Sequence, residues 1–164
     1  MADGVEFSLI GVEELIGKLD AVTVDVKRKG GRFALRKAAQ IVVAKAKQNA
    51  DRINDPKTAR EISKNITLRW NGRLYKRTGD IGFRIGVMGG SGGNKPTESF
   101  SGLPGLDTRH WRFVELGTSK ARAQPFMRPA MENNISEITN EFMTQYSKAL
   151  DRAIKKANKA KARS

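Results

Sequence analysis

The sequence predicts an α+β fold: a small, mostly antiparallel sheet packed by a long helix in the N-terminal half and a long C-terminal helix. Three observations lead there. Two extended stretches carry apolar residues at three- and four-residue spacing, two short runs between them alternate apolar and polar residues, and the order helix, hairpin, strand, helix lacks the strand–helix alternation of a parallel sheet. At 164 residues with 38% hydrophobic content, the chain suits one domain with its own core and is not a wholly disordered polymer. We read residues 1–154 as that domain, with a mobile glycine-rich loop at 89–106, and residues 155–164 as a basic tail.

Taken in order, Val5, Phe7 and Leu9 alternate with Glu6 and Ser8 as a half-buried strand does, and Gly11 ends the run. Val12, Leu15, Ile16 and Leu19 then lie on one face of a short helix. A second helical pattern runs from about Val22 to Ala50, with Leu35, Ala38, Ala39, Val42 and Ala46 as its apolar face. Gly30 and Gly31 interrupt it at a cost of about 1 kcal/mol each relative to alanine, so a bend or break is expected there and a firm helix from about Arg32.

Turn residues fill Asp51 to Pro56, and a short helix is expected around Thr58–Asn65. Ile66, Leu68 and Trp70 alternate with Thr67, Arg69 and Asn71 as one strand, which could continue past a kink at Gly72 through Leu74. Ile81, Phe83, Ile85 and Val87 form the next, and Gly79 between them can supply the positive φ of a reversal, giving an antiparallel hairpin. Gly89 to Leu106, rich in glycine and containing two prolines, reads as a long mobile loop. His110 to Leu116 returns to strand character. Pro125 opens the last helix, along which Met131, Ile135, Ile138, Phe142, Tyr146, Ala149 and Ala153 recur to about residue 157. Lys155 to Ser164 lacks large apolar side chains and is expected to fray.

Charge sets the chain apart. Its formal net charge is +14, which points to a polyanion or an acidic surface as a neighbour. The N-terminal twenty residues are acidic (Asp3, Glu6, Glu13, Glu14 and Asp20 against Lys18), whereas Lys148, Arg152, Lys155, Lys156, Lys159, Lys161 and Arg163 face a single acid, Asp151. The basic residues of the C-terminal stretch are candidates for facing DNA or an acidic partner. The N-terminus does not read as a secretory signal, and no apolar run reaches the length of a membrane span, so no membrane partner is expected.

Catalytic and cofactor chemistry find no footing. There is no cysteine and one histidine, His110, so thiolate nucleophiles and zinc sites of the usual kinds are excluded. The glycine loop fails the phosphate-loop pattern, because Lys95 stands between Asn94 and Pro96, and it fails the dinucleotide pattern, because Lys95 follows Gly90 and Gly92 where a third glycine belongs. No serine sits in a nucleophile elbow. Glu13 and Glu14 read as solvent-facing, and the tripeptides starting at Asn65 and Asn134 read as chance matches to a glycosylation site. Trp70, Tyr75 and Trp111 near basic residues could stack on bases, but their alternation with apolar neighbours places them in a core. The chain is therefore expected to be no enzyme and to need no cofactor or metal.

Residues 109–130 read Arg-His-Trp-Arg-Phe-Val-Glu-Leu-Gly-Thr-Ser-Lys-Ala-Arg-Ala-Gln-Pro-Phe-Met-Arg-Pro-Ala. This segment resembles the signature of tail-completion or head–tail-joining proteins of tailed bacteriophages, a Phe-Val-Glu-Phe-Gly-Thr strand end followed by Gln-Pro-Phe-Leu-Arg-Pro-Ala. Phe113, Val114, Glu115, Gly117 and Thr118 match, as do Gln124, Pro125, Phe126, Arg128, Pro129 and Ala130; Leu116 and Met127 depart conservatively. Arg77-Thr78-Gly79 before a strand is a second, weaker likeness. The resemblance implies a structural virion protein, assembled in the host cytoplasm, that completes the tail or joins it to the head at the neck. It implies as partners further copies of itself in a ring, sixfold by expectation, the tail terminator or tail tube, head-connector proteins, and genomic DNA passing the channel. A nonspecific nucleic-acid-binding basic protein is the alternative.

Trp111, Phe113, Glu115, Gly117, Thr118, Pro125, Phe126, Arg128 and Pro129 are the candidate residues of this joint. Gly117 lets the chain leave its strand sharply, Thr118 can bond backbone donors in the turn, and Arg128 could pair with Glu115 across the corner. Two roles stay open: the motif fixes a strand-to-helix corner, or Phe126 and Arg128 sit at a subunit contact.

Overall fold

The computed structural model describes residues 12–20, 23–53, 61–89 and 102–162. Their elements are α1 (Val12–Asp20), α2 (Val24–Asp51), α3 (Ile62–Asn65), β1 (Ile66–Trp70), α4 (Gly72–Thr78), β2 (Phe83–Val87), α5 (Trp111–Leu116), α6 (Met127–Glu132) and α7 (Ile135–Lys161). The fold is α+β, with β1 and β2 antiparallel. The expected strand at 5–9 and most of the 89–106 loop lie outside the described residues. The chain divides into two compact units.

The first unit comprises residues 1–38, 72–82 and 136–164. It holds α1, the first half of α2, α4 and nearly all of α7. Leu15, Ala34, Ala38 and Leu150 are buried in it. No break occurs at Gly30-Gly31: α2 runs continuously across both. The missing side chains serve packing instead. A Cβ at Gly30 would come within 3.2 Å of the Tyr146 ring and 3.3 Å of Ala149, so α7 packs closely on α2 where α2 has no side chain. The Tyr146 hydroxyl donates to the Lys27 carbonyl at 3.2 Å beside the same contact. Lys18 of α1 reaches α7, pairing with Asp151 at 3.1 Å and with Glu14 on its own helix, and donating to Ser147 Oγ at 3.0 Å.

The second unit comprises residues 39–71 and 83–135. Ala39, Val42, Ala46 and Ala50 bury one face of the second half of α2, together with Ile62, Ile66, Val87, Phe126 and Ala130. The hairpin register pairs Ile66 with Val87, Leu68 with Ile85 and Trp70 with Phe83. These six share one apolar face, closed at the far end by the edge-to-face contact of Trp70 and Phe83 at 5.3 Å between ring centroids. Thr67, Arg69, Arg84 and Gly86 occupy the opposite face. The turn between the strands is wider than a tight reversal. Gly72–Thr78 is a helix, not a continuation of β1, and Gly79 follows with φ 78°.

Three further expectations are corrected. Residues 111–116 form a helix where alternation suggested a strand. The last helix is not continuous from Pro125: α6 ends at Glu132, and Asn134 Nδ2 donates to the Ala130 carbonyl at 3.1 Å. That bond competes with helix continuation, as asparagine side chains do, and α7 starts afresh at Ile135. Met131, assigned to the apolar face of a single long helix, is 51% exposed on α6. Finally, α7 continues through Lys155 and Lys156 to Lys161; its alanines and lysines are good helix formers, so the segment does not fray where apolar weight ends.

Burial holds the Tyr146 phenol above the ordinary tyrosine range, because the anion is penalised away from water. The unfolded chain therefore ionises this group first, and stability falls as pH rises through the ordinary value near 10. Tyr146→Phe is expected to cost about 1 kcal/mol at neutral pH and to flatten the alkaline loss of stability, read by urea unfolding at pH 7 to 10.5. Gly30→Leu should destabilise strongly by wedging Tyr146 away. Gly17→Ala on α1, where a Cβ meets nothing within 4 Å, should instead gain up to about 1 kcal/mol.

Candidate functional site

The motif segment folds into a helix–turn–helix corner within the second unit. It begins with a polar hub. Asn65, fully buried at the end of α3, donates to the Leu106 carbonyl at 2.9 Å and to Thr108 Oγ1 at 2.7 Å, and accepts from the Gly105 N–H at 2.9 Å. The Asn65 carbonyl accepts from Met88 N–H at 2.8 Å. Both amide hydrogens and the carbonyl oxygen of this side chain are bonded to residues 105–108, so the C-terminal end of the glycine-rich loop is held in place. Asp107 then accepts from the Arg109 backbone N–H at 3.1 Å and from its guanidinium at 2.9 and 2.7 Å. The Arg109 pKa is raised, first by this bonding to Asp107. Leu106 takes φ 57°, a conformation the hub must over-determine.

From this platform α5 starts, with the Trp111 N–H on the Thr108 carbonyl at 3.0 Å. A helix places Trp111 and Glu115 four residues apart on one face. Glu115 is 9% exposed, while Phe113 and Leu116 are 64% and 60% exposed. Gly117 ends α5 with φ 76° and ψ 177°, a region that only glycine occupies without strain. A Cβ there would also come within 2.8 Å of the Ala123 nitrogen. Thr118 Oγ1 accepts from the N–H groups of Lys120 and Ala121 at 3.2 and 3.0 Å. The chain then returns, with Gln124 N–H on the Val114 carbonyl at 2.8 Å.

The corner closes on one carboxylate. Glu115 Oε2 accepts from the backbone N–H groups of Phe126 and Met127 at 2.7 and 2.9 Å, and Oε1 from that of Arg128 at 3.0 Å. The first four N–H groups of any helix lack intrahelical partners. In α6 these belong to Phe126, Met127, Arg128 and residue 129; three end on Glu115, and Pro129 has no N–H to satisfy. Every orphan donor is thereby accounted for, and the carboxylate charge opposes the positive end of the helix dipole. The expected salt bridge between Arg128 and Glu115 is thus replaced by a backbone bond, and the Arg128 side chain is exposed.

Phe126 is fully buried, and its carbonyl accepts from Asn49 Nδ2 of α2 at 3.2 Å. Pro125 is exposed and precedes α6, rather than lying in its first turn. The structure therefore brings Trp111, Glu115, Gly117, Thr118, Phe126, Arg128 and Pro129 into one corner, with Phe113 pointing outward. Lys148, Arg152, Lys155, Lys156 and Lys159 are exposed on α7 in the other unit. Sequence reasoning missed Asn65; the only signal was the alternating strand pattern that starts at its neighbour, Ile66.

Residues 13–117 match the profile of a family described as "Bacteriophage HK97-gp10, putative tail-component". The chain belongs to this family. Membership makes it a component of a phage tail, located in the virion among other structural proteins. No curated protein and no solved structure matches the chain. The family match takes in α5 and ends at Gly117, so Glu115 lies within it and the donors of residues 126–128 lie beyond. Among the described residues, no group of three or more His, Asp or Glu side chains could hold a metal ion, and no helix is long and apolar enough to cross a membrane.

Glu115→Ala is expected to destabilise by about 3 kcal/mol, since it strands buried donors that now bond a charged acceptor. Glu115→Gln should retain part of that, because one amide oxygen still accepts. Phe126→Ala should cost about 3–5 kcal/mol. Chemical denaturation of the three variants checks the order; a Glu115→Ala loss below that of an exposed control such as Glu132→Ala would contradict the geometry.

Proposed function

We propose that this chain is a non-enzymatic structural subunit that completes the phage tail or joins it to the head, acting as one member of a homo-oligomeric ring, sixfold by expectation, at the neck. Membership of a tail-component family carries the reading. Its physical support is the corner at residues 105–132: a framework of backbone bonds that holds two short helices rigid while leaving Phe113, Leu116 and Met131 more than half exposed. Large exposed apolar side chains on a rigid support suit contacts with further copies or with tail-terminator, tail-tube or head-connector proteins. Assembly takes place in the host cytoplasm.

The basic residues of α7 give a further part of this proposal. Lys148, Arg152, Lys155, Lys156 and Lys159 are exposed along one uninterrupted helix, with Lys161 at its end, and after Asp151 no acid follows. They face the genome in the passage. Residues 1–154 act in this scheme as one building block and the terminal residues as its basic extension.

Particles produced without this gene, viewed by negative-stain electron microscopy, should show separate heads and tails; intact infectious virions would contradict the proposal. Duplex binding by the purified protein should weaken steeply with salt, with a log–log slope of about −0.9 per phosphate contacted. Negligible binding at low salt would remove DNA and leave an acidic protein as the partner of α7.

A further inference from the structure

We infer that the polar face of the hairpin is a phosphate-binding site built from Arg69, Arg84, Thr67 and Gly86. The register places Arg69 directly opposite Arg84, so both side chains rise from the same face, with Cβ atoms about 5 Å apart. Like charges directly opposite one another repel and destabilise the pair, where opposite charges would stabilise it. Neither arginine has a carboxylate partner among the described residues, and both are exposed. The next pair on this face is Thr67 opposite Gly86. A Cβ at Gly86 would meet nothing within 4 Å, so the sheet is bare beside the two guanidiniums. The result is a groove of about 370 Å³, lined by Thr67, Arg69, Arg84, Gly86 and the following turn through Met88 and Gly89.

The chemistry of this groove selects its ligand. Two guanidiniums offer planar forks of donors matched to a tetrahedral oxyanion, and the Thr67 hydroxyl adds another donor. A free phosphate group, carrying more than one negative charge, removes the repulsion between the arginines, which one carboxylate does less completely; a backbone phosphate, with a single charge, offsets it in part. The opposite face of the same strands is fixed by the Trp70–Phe83 contact and by the burial of Ile66 and Val87, so the two arginines are held in register without a ligand. The inference stands independently of the tail reading, and the phosphate can come from a free phosphate compound or from a nucleic-acid backbone.

The test uses the full chain in chloride buffer at constant ionic strength. Inorganic phosphate is titrated while the Arg Nε–H resonances of residues 69 and 84 and the melting temperature are followed. Saturable shifts at both arginines are expected. Arg69→Gln and Arg84→Gln should each weaken phosphate binding about tenfold or more, and each should melt no lower than the wild type without phosphate, because the repulsion is gone. Gly86→Val keeps both charges and suits a strand, yet should block binding by filling the bare floor. A parallel titration with a short DNA duplex separates the sources: loss of duplex binding in the arginine variants, with no response to inorganic phosphate, assigns the phosphate to the nucleic-acid backbone. Phosphate and duplex responses unchanged in all three variants, or reproduced by added chloride, would overturn the inference, as would arginine-dependent binding of a polyglutamate peptide alone.

Discussion

The corner of the second unit depends on a single carboxylate meeting three backbone donors. Glu115 takes the N–H groups of Phe126, Met127 and Arg128, and Pro129 removes the need for a fourth. A six-residue helix such as α6 has too few internal bonds to stand alone; it exists because its N-terminus is bonded from α5 and because Phe126 and Ala130 are buried. Other features of the corner follow from that requirement. The chain must reverse between α5 and α6 in few residues, which Gly117 permits and the Thr118 bonds stabilise. Glu115 must face inward, which a helix at 111–116 achieves while turning Phe113 outward. The Asn65 hub serves the same end from upstream by fixing where α5 begins.

That requirement also explains which parts of the fold were legible. The long helices were, though not the ends of α7, because α2 and α7 repeat their apolar spacing over many turns. The hairpin was, because Ile66–Trp70 and Phe83–Val87 alternate cleanly. The stretch Trp111–Leu116 was not: six residues rich in aromatic and branched side chains fit a strand period as well as a helix, and the deciding interaction lies eleven residues downstream. Gly30 and Gly31 read as a break because propensity is local, whereas the close approach of Tyr146 and Ala149 that rewards them is tertiary. Asn65 read as a chance glycosylation tripeptide because its partners lie some forty residues away. The Arg69–Arg84 pair required the register, which alternation alone does not set.

For function, the motif residues divide by position. Glu115, Gly117, Thr118 and Phe126 build the corner, and their chemistry is spent within the subunit. Phe113, Leu116, Met131 and the Arg128 side chain are what the corner displays. Family membership identifies a phage tail component. In the proposed function, the side chains displayed by the short-helix corner are the ones that meet neighbouring proteins.

The claim that Glu115 holds the start of α6 is tested most directly by amide hydrogen exchange of the folded protein. The amides of Phe126, Met127 and Arg128 should be protected together, and Glu115→Gln should accelerate their exchange while leaving β1 and β2 unchanged. Exchange of these three amides at the rate of exposed loop amides in the wild type, or no change in the variant, would contradict the account.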